Sequence, residues 1–114
     1  MATNNKWADY LISAVSYSSD RSKITYLQVH EDHGDSISPY AVHSRQSVIA
    51  SIERGITFCT IYKNHTGENW IKGADVNVVS TTYGKYLRTD KNNTPKDNLG
   101  NLPEFSHSDN YSYV

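Results

Sequence analysis

His30-Glu31-Asp32-His33-Gly34-Asp35 places two imidazoles and three carboxylates within six residues. Imidazole nitrogen and carboxylate oxygen are ligands that zinc and manganese accept. His30, Asp32, His33 and Asp35 are therefore the candidate metal ligands, and a metal-dependent hydrolase is the activity they would serve. The spacing argues for something plainer. The histidines are three apart, not four as in a helical His-Glu-x-x-His pair, and Gly34 marks a turn. The oxygen series of a calcium loop is also missing. A solvated turn capped by its own carboxylates fits the same residues, so no metal or other cofactor is expected.

A second group combines Arg88, Lys85 and Lys72 with Tyr86 and the Asn92-Asn93 pair. If the last strand lies beside Asn69-Trp70-Ile71-Lys72, these side chains converge on a small, nucleotide-like anion. The planar fork of Arg88 would take its charge, while Tyr86, on the same strand parity, offers a stacking surface. The structural alternative is a clamp: an irregular ribbon leaves carbonyls in need of donors, and Arg88 can supply them. Cys59, the single cysteine, lies in the most hydrophobic run and reads as a buried, inert thiol. No Gly-x-Ser-x-Gly turn and no Gly-rich phosphate loop is present.

The elements that must carry these residues follow from period and punctuation. Tyr10–Tyr17 and Ile24–His30 read as strands of a hairpin joined by a short polar loop. The stretch to Pro39 reads as loop. Ser44 then serves as N-cap for a three-turn helix with Val48, Ile49 and Ile52 on one face, which Gly55 ends. Ile56–Lys63 alternates as the clearest strand, Asn69–Lys72 follows, and Ala74–Ser80 with Lys85–Thr89 makes a second hairpin. The order ββ-α-βββ with short connections predicts an α+β domain. Its sheet is mainly antiparallel, of five or six strands, with the helix on one face. Residues 9–105 form one domain, and 1–8 and 106–114 read as flexible termini.

Composition narrows the partners. Eleven basic against twelve acidic residues give a net charge of −1, which lacks the basic excess that phosphate backbones demand. Nucleic acid is not expected. No run is long and apolar enough to cross a bilayer, and the first residues show no basic region followed by an apolar one. No membrane association and a cytoplasmic location are the expectations. Hydrophobic residues make up only 37%, nine of them tyrosines, so the core should be thin. A homo-oligomer would supplement it. Trp7, Tyr10, Tyr17, Tyr26, Tyr62, Trp70, Tyr83 and Tyr86 come without basic interleaving. They therefore suit cross-strand packing or a protein-binding face rather than base stacking.

The C-terminal stretch Tyr86–Phe105, YLRTDKNNTPKDNLGNLPEF, suits neither a long helix nor a strand. Leu99, Leu102 and Phe105 recur every three residues among Asp97, Asn98, Gly100, Asn101 and Pro103, as studs that would pin a ribbon. With Tyr86-Leu87-Arg88, Asn92-Asn93 and Asn98-Leu99-Gly100-Asn101-Leu102-Pro103-Glu104-Phe105, it resembles the ending of the bacterial domain-of-unknown-function family 3892. The resemblance spans roughly residues 9–105. It implies a fold and no reaction, so no catalytic residue comes with it. The function expected is a small non-enzymatic binding module for a protein partner, in an adaptor or inhibitor role. A binder of small anions and the metal-dependent hydrolase are the alternatives.

Overall fold

Runs of alternating β-branched and aromatic residues become strands here, and the computed structural model describes residues 6–90, 94 and 96–106. In chain order the elements are β1 (Tyr10–Tyr17), β2 (Ile24–Glu31), β3 (Ala41–Ser44), α1 (Arg45–Glu53), β4 (Phe58–Lys63), β5 (Trp70–Asp75), β6 (Asn77–Thr81) and β7 (Gly84–Arg88). The larger sheet has the order β3-β2-β1-β4-β5, and β6-β7 form a separate two-stranded sheet. The domain is α+β, and its described residues hold one helix and a sheet of mostly antiparallel pairs.

Three details depart from expectation. The β1–β4 pair is parallel, with Leu11 opposite Cys59. Short connections had suggested otherwise, but the link from β1 to β4 runs through β2, β3 and α1, long enough for a parallel return. A further strand, β3, occupies part of the stretch between Pro39 and the helix, pairing Val29 with Ala41 and Tyr26 with Ser44. The final hairpin stands apart from the main sheet, so the order is βββ-α-ββββ. Asn92, Asn93, residues 1–5 and residues 107–114 lie outside the described residues.

Local chemistry sets the helix. The Ser44 hydroxyl accepts from Ser47 N at 3.1 Å as the N-cap. Arg54 is the C-cap, and Gly55 takes a φ of +94° to leave the helix. Asp9 and Thr57 lock the start of β4 to that of β1. Asp9 N donates to Thr57 Oγ1 at 2.9 Å, and Thr57 N donates to Asp9 Oδ2 at 3.0 Å.

The two faces of β1 bury different cores, and the irregularity between Ile12 and Ala14 brings Ile12 and Val15 onto the same one. Ile12 and Val15 join Ile24, Leu27, Val48, Ile49, Phe58, Leu87 and Leu99 beneath the helix and the small sheet. On the opposite face Leu11 packs with Ala8, Cys59 and Ile61. Ser13 sits at the β1 irregularity between Ile12 and Ala14.

Candidate interaction surface

The C-terminal ribbon links the two sheets, and a carboxylate does most of the linking. Asp97 is 2% exposed. Its Oδ2 accepts from Ile24 N (2.9 Å) and Arg45 Nε (2.8 Å), its Oδ1 from Leu87 N (2.8 Å) and Arg45 Nη2 (2.9 Å). One side chain thus joins β2, α1 and β7, and four donors satisfy a charge that burial would otherwise penalise. Arg45 also donates to the Lys85 carbonyl and lies over the Tyr86 ring, 5.6 Å from its centroid.

The ribbon then adds backbone pairing at both ends. Asn98 N donates to Leu87 O (2.8 Å) and Thr89 N to Asn98 O (3.0 Å), beside β7. Farther along, Val15 N donates to Pro103 O (3.0 Å) and Phe105 N to Val15 O (2.9 Å). The ribbon therefore takes the place next to β1 beyond the three residues that pair with β4. Leu99 is buried, Leu102 and Phe105 are half-buried, and Arg21 grips Glu104 through two 2.7 Å bonds.

Between ribbon and sheet lies an open groove of about 420 Å³, lined by Thr60, Tyr62, Gly73, Leu99 and Leu102 among others. Tyr62 and Ile71 are cross-strand partners at its side, 47% and 37% exposed. They form an aromatic-aliphatic pair facing solvent next to an apolar trough. Gly73 lies tight against Thr60 in the groove wall, where a Cβ would run into the Thr60 hydroxyl.

The residues proposed for an anion each have a partner within the chain. Arg88, 5% exposed, holds Asp90 through Nε (2.7 Å) and Nη2 (3.0 Å) and donates from Nη1 to the Lys96 carbonyl (2.8 Å). That is the clamp geometry. Lys85 pairs with Glu53 (2.6 Å) and Lys72 with Asp75 (3.4 Å). Tyr86 lies under Arg45, and β7 pairs with β6 rather than with β5, which carries Lys72.

The histidine-rich turn is also divided. His30 is buried on the β2 face, with Nδ1 2.8 Å from the Ser38 carbonyl and Nε2 2.7 Å from Ser13 Oγ. A carbonyl only accepts, so Nδ1 carries the proton and Nε2 is left for the serine hydroxyl. Asp32 accepts from Trp7 N (2.7 Å) and Gly34 N (2.9 Å), tying down the chain's entry. His33 meets Glu31 at 3.1 Å in the open, and Asp35 is exposed. Among the described residues, no three His, Cys, Asp or Glu side chains are grouped to hold a metal. Burial pushes the Cys59 thiol up to about 11.

Sequence reasoning missed Asp97–Arg45 and Ser13–His30. A signal for the first existed. Arg45 opens the helix, where the dipole disfavours a cation, so it needed a carboxylate from another element.

A parallel-and-antiparallel sheet crossed by one helix and stitched by an irregular ribbon defines a small α+β scaffold. Residues 11–103 match the family described as a protein of unknown function (DUF3892), and the chain belongs to that family. No curated protein and no solved structure matches it. Among the described residues, no helix is long and apolar enough to cross a membrane.

Proposed function

We propose that the domain is a protein-binding module whose docking surface is the Tyr62–Ile71 pair and the groove beside it. The observation that carries this reading is the exposure of two large side chains directly across from one another on β4 and β5. Tyr62 lines an apolar trough that a partner's side chain can enter, and Ile71 stands directly across from Tyr62 on β5. Tyrosine is enriched among residues that anchor interfaces, since its ring buries area while its hydroxyl keeps a polar contact. The edge itself favours side-chain docking over strand addition: β5 is irregular opposite Thr60 and carries Lys72, features that blunt a free edge. The role is that of an adaptor or inhibitor. The expected compartment is the cytosol, where the lone Cys59 stays reduced.

Affinity capture tests the reading. Wild-type protein and a Tyr62→Ser/Ile71→Asp variant are each used as bait in an extract of the source organism. The wild type should retain a saturable protein partner, and the variant should lose it while its melting temperature changes little. Equal retention by both, or turnover of a nucleotide or ester with no partner retained, overturns the proposal.

A further inference from the structure

We propose that the cavity between the β1–β2 turn and the end of the ribbon binds a neutral pyranose sugar. This goes beyond the docking surface on β4 and β5, with which the cavity shares no lining residue.

The cavity measures about 540 Å³, and Ser16, Ser19 and Ser106 stand in its wall. Small-molecule sites run from roughly 300 to 1,000 Å³. Ser16 carries the argument. It is 4% exposed, and among the described residues its hydroxyl has no hydrogen-bond partner. Among those residues no fully enclosed side-chain oxygen or nitrogen lacks a partner, so this hydroxyl still reaches solvent. Its outlet is the cavity that Ser16 lines. A nearly buried hydroxyl that the fold does not use is a group that a ligand can pair with.

The rest of the wall selects the ligand's chemistry. Arg21 and Glu104 lie in it together, each answering the other's charge through two 2.7 Å bonds. Among the described residues no other charged side chain lines the cavity. Neither an anion nor a cation therefore meets an uncompensated partner there. What is left over is mixed hydrogen-bonding capacity. The guanidinium keeps further N–H groups, the carboxylate keeps further lone pairs, and each serine hydroxyl both donates and accepts. A sugar hydroxyl, which also does both, matches that lining; a phosphate, which chiefly accepts, is refused by Glu104. Arg21 is already held in place, with its guanidinium 4.7 Å from the Tyr17 ring centroid, so little ordering is lost on binding. Tyr17 and Phe105 add ring surface, against which the C–H groups of a pyranose pack.

The experiment uses full-length protein and a panel of methyl pyranosides: the glucoside, galactoside, mannoside and N-acetylglucosaminide. Saturation-transfer NMR reports binding, and titration of the backbone amide shifts gives affinity. At least one pyranoside should bind and move the amides of Ser16, Tyr17 and Arg21. Ser16→Ala removes a hydroxyl without a partner in the fold, so its melting temperature should hold. Its affinity should fall about three- to tenfold, the worth of one hydrogen bond. Arg21→Lys keeps a charge opposite Glu104 but loses the planar fork, and should weaken binding as well. Tyr62→Ser/Ile71→Asp should bind the sugar as the wild type does, which separates this site from the β4–β5 surface. Inorganic phosphate and a capped alanine dipeptide are titrated in parallel. No binding of any pyranoside overturns the proposal, as does equal affinity in wild type and Ser16→Ala. Tighter binding of phosphate or of the dipeptide at these amides overturns it too.

Discussion

Asp97 is the residue on which most of the fold converges, and its removal should be the most damaging single change at a polar position. Replacing it with Ala strands Arg45 and two buried backbone N–H groups. Breaking a buried pair in this way costs about 3–5 kcal/mol, so urea denaturation of Asp97→Ala should show a large fall in midpoint. A change under about 1 kcal/mol would mean the carboxylate is less buried than described. Cys59 gives a test from the alkaline side. Its folded value of about 11 lies above the ordinary 9.0. The folded state therefore holds the proton more tightly. Its stability is intact below about pH 9 and declines as pH rises toward 11. A Cys59→Ala variant should have a flatter profile there, and native protein at pH 8 should react with a thiol reagent only as fast as it unfolds. At acid pH the sign reverses. Thr57 holds Asp9 below the usual carboxylate range, and Arg21 does the same for Glu104. Their contribution is present at neutral pH and is lost as pH falls through the depressed values. Asp9→Asn should lessen the drop in urea midpoint between pH 5 and 2. At this scale the sequence was legible where chemistry is local: Ser44 as cap, Gly55 as stop, Cys59 as a buried thiol. It was silent where partners are distant, because Asp97 lies 52 residues from Arg45 and nothing in spacing joins them.

At the level of elements, the β4–β5 pair and the ribbon define the groove, and at Gly73 the backbone of β5 lies tight against Thr60 of β4. A methyl group there would press on Thr60 Oγ1 at 2.2 Å and on the Thr60 carbonyl oxygen at 2.9 Å. Gly73→Ala should cost about 1–3 kcal/mol, the range for overpacking, measured as a lower urea midpoint. Gly67→Ala, a turn glycine with open space around it but a φ of +75°, should be destabilised through backbone strain alone. Strand existence was readable from period two in β1, β2 and β4, and the ribbon from its three-residue studs. Strand β3 was not readable. Ala41-Val42-His43-Ser44 is four residues long, mostly exposed, and is held in place by pairing with β2 rather than by its own pattern. The parallel β1–β4 pair was hidden for a related reason: two strands more than forty residues apart pair through tertiary packing, which local alternation does not encode.

Across the whole molecule, a thin core is compensated by stitching. Two small hydrophobic clusters lie on either face of one sheet, and arginine–carboxylate forks at Asp97 and Glu104 fasten the ribbon that joins that sheet to the second. This arrangement leaves the Tyr62–Ile71 pair exposed beside an apolar trough, and the proposed function rests on that pair. The most direct measurement is photo-cross-linking from a benzophenone amino acid placed at position 62, with position 83, also exposed but on the β6–β7 turn, as the comparison. Binding through the β4–β5 surface predicts one dominant protein adduct from position 62, suppressed by Ile71→Asp and weak from position 83. Equal adducts from both positions, or none from position 62 in an extract where the wild-type chain retains its partner, would contradict it.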